Sequence, residues 1–255
     1  MRGLLEICVD DLAGVAAAIE GGADRIELCA ALALGGLTPS AALVEAAIRA
    51  ARQARVAVHA MVRPRAGDFT YGADELTLAI AEARMLIAQD VDGLVFDAAR
   101  DGRLDEPALE AWSSAVEAAG RPVALTLHRA TDITADPIAA VDVAARLGFD
   151  RMLTSGGAPT APEGSATIAL MVERAGGRCR IMAGAGVRPD NAPALLAATG
   201  VRELHASASV TVGETDERVT ALGFATPPRR RTDPGMVRAL RAALNRDEET
   251  APHVR

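Results

Sequence analysis

The groups able to do chemistry in this chain fall where short apolar runs end. Glu6 and Cys8 lie two positions apart near the start, and Glu27 and Cys29 repeat that spacing. His59, Met61 and Arg63 alternate along a third run, which opens into Pro64-Arg65-Ala66-Gly67-Asp68. Asp97 ends a fourth, and His128-Arg129, with Asp132 just beyond, ends a fifth. Thr154-Ser155-Gly156, Gly184-Ala185-Gly186 and His205-Ala206-Ser207 close three more. On an extended backbone, residues two apart share a face, so each of these pairs points one way.

Three kinds of chemistry follow from these residue types. Glu6, Asp97, His128 and Asp132 are candidates for proton transfer, because a carboxylate or imidazole tuned toward neutrality can act as acid or base. Arg63, Arg65 and Arg129 could hold a carboxylate or phosphate. Backbone N–H groups around Ser155, Gly156, Gly184 and Gly186, with Ser207, could cradle the same small anionic ligand. Cys8, Cys29, His59 and Met61 form a soft donor set suited to copper(I). Each has a plainer reading beside it. Arginines and acids can pair to close a surface, Gly184-Ala185-Gly186 can be a tight turn, and Cys and Met are common buried hydrophobes.

These groups need a scaffold that brings the ends of separate segments together. Strand-like runs at residues 4–9, 24–29, 56–62, 93–96, 122–128, 150–154, 179–183 and 201–205 alternate with Ala/Leu-rich helical stretches. The helices are expected at 12–20, 40–54, 74–89, 106–119, 136–147, 165–175, 190–199 and 234–245, with Thr38-Pro39 opening the second and Asp233-Pro234 the last. Glycines stand at the helix ends, and Gly22-Ala23-Asp24 is echoed by Gly148-Phe149-Asp150. Eight strand–helix units with strands apolar on both faces predict an α/β fold, a (β/α)8 TIM barrel in a single domain over 1–255, with a C-terminal extension and helix at about 211–255. A doubly wound sheet is the rival, but it would leave two edges to protect. In the barrel the polar groups converge at the C-terminal ends of the strands.

Composition narrows the function. The 255 residues carry a formal net charge of -7, which disfavours nucleic acid as a partner. Aromatics make up 2% of the chain, too few for a stacking platform. The run Arg229-Arg230-Arg231 reads as a solvated turn. Three cysteines without short spacing form neither a disulfide framework nor a structural zinc cluster, and suggest a reducing compartment. Cys179 reads as core. No segment reads as a signal peptide or as a membrane span.

Taken in order, several segments resemble the CutC family, often described as copper homeostasis proteins. They are Leu5-Glu6-Ile7-Cys8-Val9, then Gly22-Ala23-Asp24-Arg25-Ile26-Glu27-Leu28-Cys29, Gly35-Gly36-Leu37-Thr38-Pro39-Ser40, Met61-Val62-Arg63-Pro64-Arg65, His128-Arg129-Ala130, Leu153-Thr154-Ser155-Gly156, Ile181-Met182-Ala183-Gly184 and Glu203-Leu204-His205. The resemblance implies a (β/α)8 barrel, cytoplasmic location, a homo-oligomer (dimer or tetramer) and copper handling. Against the family pattern, Asp97 stands where glycine is usual, Thr131 where an aromatic is usual, and Ala185 and Ala206 replace glycines. Two functions remain open. One is a copper(I)-binding protein. The other is a lyase, isomerase or hydrolase acting on a small phosphorylated or carboxylated metabolite.

Overall fold

The computed structural model describes residues 3–213, 216–224 and 229–250. Eight parallel strands close into a barrel: β1 (Leu4–Val9), β2 (Arg25–Leu28), β3 (Ala57–Met61), β4 (Gly93–Phe96), β5 (Ala124–Leu127), β6 (Arg151–Thr154), β7 (Arg180–Ala183) and β8 (Glu203–Ala206). Each pairs with its sequence neighbours, and β1 pairs with β8 to complete the ring. Helices α1 (Leu12–Gly21), α2 (Ala41–Ala54), α3 (Ala73–Ala88), α4 (Glu106–Glu117), α5 (Ala140–Arg146), α6 (Ser165–Ala175) and α7 (Ala192–Thr199) cross between them. This is the (β/α)8 architecture that the alternation predicts.

The glycine–aspartate echo has a structural cause. Asp24, Asp92 and Asp150 each precede an even-numbered strand, and each carboxylate accepts the backbone N–H of the strand before: Leu5, Val58 and Leu125, all at 2.8 Å. The side chain thereby satisfies a donor at the start of a strand, where the ladder itself offers none. Gly22, with φ of 85°, turns the chain out of α1 into the first of these joints.

Side chains alternate between two cores. Leu5, Ile7, Ile26, Leu28, Val58, Ala60, Leu94 and Phe96 point outward and pack under the helices in the main apolar core. Phe96 stacks on Trp112 at 4.5 Å between ring centres, and Tyr71 and Phe149 extend the row. The opposite face fills the barrel interior, where beside Met61, Val95 and Met182 it carries many polar residues: Glu6, Arg25, Glu27, His59, Thr126, Arg151, Glu203 and His205 are all buried.

Some local expectations shift. Helix α2 is capped by Ser40, whose Oγ accepts from the Leu43 N–H at 3.3 Å. Thr38 instead donates to Glu82 at 2.6 Å and accepts from the Arg63 N–H, tying two loops together. Helix α5 is shorter than the 136–147 expected, because Asp136 caps an earlier turn through the Ile138 and Ala139 N–H groups. Arg229–Thr232 is no turn: it pairs antiparallel with Ser209–Val212 in a ribbon that follows β8. The last helix, Pro234–Thr250, is capped by Asp233, which accepts from the Met236 N–H at 3.0 Å. It buries Val237, Leu240 and Leu244, and Arg241 reaches both Asp24 and the Gly3 carbonyl.

Candidate metal centre

Strand register builds the barrel interior in tiers. Glu6 lies opposite Arg25 on one side and His205 on the other; one step up, Cys8 lies opposite Glu27. In the lower tier Arg25 bonds Glu6 through Nε and Glu203 through Nη2 at 2.8 Å. Arg151 donates to the same Glu203 oxygen at 3.2 Å and to Thr126 Oγ1 at 3.4 Å. Two acids and two arginines thus balance inside the barrel, as buried charges require. Burial raises the pKa of Glu6, but Arg25 and His205 more than offset it and hold the carboxyl well below its usual range.

His59 belongs to this tier electrostatically. Burial and the adjacent Arg25 push its pKa down to about 3, so the ring is neutral. The ring lies across β4 at Gly93, where a Cβ would come within 2.6 Å of it. Any larger residue at 93 would collide with the imidazole.

The upper tier is built differently. One donor atom each from Cys8, Glu27 and His205 lies within 4.8 Å of the others, and all three residues are buried. His205 Nδ1 bonds Glu6 Oε1 at 2.7 Å, which leaves Nε2 facing Glu27 Oε2 at 3.9 Å. Burial alone would lower the His205 pKa; attraction to Cys8 and Glu27, with hydrogen bonds to Cys8 and Glu6, reverses that and raises it well above the ordinary value. Glu27 Oε1 has no hydrogen-bond partner among the described residues. A carboxylate oxygen stripped of water and left unpaired is costly. Next to a thiol and an imidazole nitrogen, it completes a set of groups that could hold a cation. Thiolate, imidazole and carboxylate are the groups that bind transition metals in proteins.

A CutC family model matches residues 3–210. The chain belongs to the CutC family. It is similar to the "family protein CutC" of Sinorhizobium medicae, 46% identical over 245 residues and covering 96% of this chain and 97% of that one. The protein of the same name from Caulobacter vibrioides is 44% identical over 248 residues, covering 94% and 98%. Among solved structures, the Streptococcus agalactiae CutC, described provisionally as a copper homeostasis protein, superposes with a TM-score of 0.75 at 29% identity over 80% of this chain and 98% of its own.

In this CutC chain the predicted site residues divide. Cys8 is in the centre. Cys29 is not in the donor group; its thiol donates to Glu27 Oε2 at 3.5 Å, and burial and the Glu27 charge push its pKa well up. Met61 packs beside Cys29 with Val95 and Leu32, under Gly36, as apolar filling. His59 sits with the lower tier. Glu6, expected to move protons, is fully buried and occupied by Arg25 and His205.

The anion-binding candidates are largely committed elsewhere. Arg63 donates to the carbonyls of Leu34, Gly36 and Gly67, and lies over the Phe69 ring. Arg65 clamps Glu75, Asp68 and the Thr70 carbonyl. Arg129 bonds Asp132 at 2.8 Å and Ser155 at 2.9 Å. Asp132 accepts from Thr154 Oγ1, from Ser155 N and Oγ, and from Gly157 N, so it is a loop anchor rather than a free base. Gly156 and Gly186 hold positive φ where a Cβ would strike Gly164 and Thr160, and the Gly184 N–H is taken by the Thr154 carbonyl. Ser207 bonds Ser209, whose hydroxyl also accepts from Arg230.

Asp97 and His128 remain together in the barrel, joined by Asp97 Oδ2 and His128 Nδ1 at 3.2 Å. Glu27 and His205 were visible in sequence as strand-end polar groups but not as ligands. The signal was the alternation itself: Glu27 shares its face with Cys29 and Arg25, and lies directly opposite Cys8.

Proposed function

We propose that this chain acts in copper homeostasis by holding copper(I) inside the barrel on Cys8 and His205, with Glu27 beside them. The observation that carries this reading is the gathering of Cys8, Glu27 and His205 donor atoms at one buried point. The donor chemistry fits: copper(I) favours sulfur and accepts imidazole. Glu6 holds His205 Nδ1, so Nε2 is the nitrogen turned toward the Cys8 and Glu27 donors. Three free, buried cysteines are compatible with a reducing, cytoplasmic setting, where copper is carried in its reduced state. The enzyme alternative draws less support, since Arg63, Arg65 and Arg129 already bond the protein's own groups.

Anaerobic competition with a chromophoric copper(I) chelator tests this. The reduced protein is expected to take up one ion, with affinity falling at least about a hundredfold in Cys8→Ser and in His205→Ala. Equal affinity in both variants and the parent would remove copper(I) from this site.

A further inference from the structure

Beside the three gathered donors stands a second imidazole, which touches the group through Glu27. His128 enters it from β5's end with the same wiring as His205. Its Nδ1 lies 3.2 Å from Asp97 Oδ2, while its Nε2 faces Glu27 Oε1 at 4.0 Å. The Ala130 N–H donates to the same Asp97 oxygen at 3.2 Å, so the carboxylate is fixed in place. Each imidazole therefore keeps a carboxylate on Nδ1 and turns Nε2 toward one oxygen of Glu27. Neither 4.0 nor 3.9 Å is a hydrogen bond. Both are near the separation of two ligands on one small ion, since zinc–ligand bonds of about 2.0–2.3 Å place neighbouring donors roughly 3.3–3.8 Å apart. Carboxylates behind metal-binding histidines are a recurrent arrangement that fixes ring orientation and strengthens the free nitrogen.

Charge points the same way. In the lower tier each acid meets an arginine. Glu27 and Asp97 are buried beside imidazoles, the Cys8 and Cys29 thiols, the Tyr71 phenol and one backbone N–H, and among the described residues no arginine bonds either. Among the described residues, Glu27 Oε1 and Asp97 Oδ1 both lack hydrogen-bond partners. Two buried carboxylates that no arginine bonds favour a cation beside them. A monovalent soft ion on Cys8 and His205 leaves Glu27 and His128 unused.

We propose that His128 is a further ligand of this centre, positioned by Asp97, and that the set Cys8–Glu27–His128–His205 takes a divalent cation of the zinc type. This rests on the location of the centre argued above, but not on its taking copper(I). One sulfur, two nitrogens and one oxygen make a four-donor set suited to a small borderline ion, whereas copper(I) needs only the softer two.

Zinc(II) titration against a chromophoric chelator, on the reduced full-length protein, decides it. Asp97→Asn keeps an oxygen for the Ala130 N–H, and His128→Gln keeps a polar side chain of similar reach; thermal unfolding verifies that both fold. Zinc affinity is expected to fall at least about a hundredfold in His128→Gln and about tenfold in Asp97→Asn. Copper(I) affinity should be unchanged in both. Zinc affinity equal to the parent in His128→Gln, or no zinc uptake by the parent, would overturn the proposal. Copper(I) binding indifferent to Cys8→Ser, alongside zinc binding that depends on His128, would sink the copper reading alone.

Discussion

Two tiers of one barrel interior, two residues apart along each strand, solve the problem of buried charge in opposite ways. Below, Glu6, Arg25, Glu203 and Arg151 satisfy one another, and Thr126 takes a remaining donor. Above, donor atoms of Cys8, Glu27 and His205 gather at one point with His128 beside Glu27, whose Oε1 has no hydrogen-bond partner among the described residues. Equal burial therefore does not mean equal role. A closed network sets the register and rigidity of the strands, and the open one above it is positioned by that rigidity. Glu6 joins them: one oxygen is held by Arg25 and the other orients His205.

The comparison breaks most visibly at Arg25. Arg25→Met removes the guanidinium shared by Glu6 and Glu203 and strands both acids in the interior. Loss of one partner from a buried pair costs about 3–5 kcal/mol, and here two acids lose a partner. Urea denaturation should show destabilisation at or above that range, or no folded protein at all. A loss under about 1 kcal/mol would mean water reaches the lower tier and the two tiers are not distinct.

Acid should expose the next largest difference. His59 is held neutral with its pKa down near 3 against an ordinary 6.5, so below pH 6.5 the unfolded chain gains a proton that the folded chain refuses. Stability contributed by this residue is whole above pH 6.5 and is lost as pH falls toward 3. The slope approaches about 1.4 kcal/mol per pH unit. Glu6, held below its ordinary 4.5, adds loss in the same direction only below that value. Denaturation midpoints between pH 6.5 and 4.5 therefore report on His59, and His59→Leu should flatten them. A parent protein whose stability does not change across that window would contradict the neutral, cation-facing environment assigned to the ring.

The fold was open to reading because each strand and helix leaves a local mark: apolar runs of strand length, glycine at helix ends, and Asp24, Asp92 and Asp150 repeating at the joints. The site was open only in part. Alternation places Glu6 with Cys8 and Glu27 with Cys29, but it does not say which strands meet when the barrel closes. His205 reaches Glu6 from 199 positions away, through the β1–β8 closure, so its role becomes visible only with the ring complete. The arginines misled for a related reason. Sequence shows the charge of Arg63 and Arg65 near a strand end, but not the loop carbonyls at Leu34, Gly36, Gly67 and Thr70 that absorb it. Arg25 and Glu203 passed without notice because their partners lie on non-adjacent stretches of chain, although a charge within Arg25-Ile26-Glu27-Leu28 already signalled an interior that is not oily.

The smallest expected effect is the sharpest test of the contrast, because it predicts nearly nothing where the lower tier predicts collapse. Glu27→Gln changes one atom's chemistry and no volume. In the lower tier the same exchange at Glu203 removes the charge that Arg25 and Arg151 share, and should cost roughly 3–5 kcal/mol. At Glu27 it removes a buried charge whose Oε1 has no hydrogen-bond partner, while the remaining oxygen can still accept from the Cys29 thiol. Metal-free stability should then stay within about 1 kcal/mol of the parent, since Glu27 meets His128 and His205 only at 4.0 and 3.9 Å and its desolvation offsets that attraction. Denaturation of both variants in the presence of a chelator measures this directly. If Glu27→Gln proves as damaging as Glu203→Gln, then Glu27 is a structural member of the barrel, and the upper tier is a second closed network rather than a place for an ion.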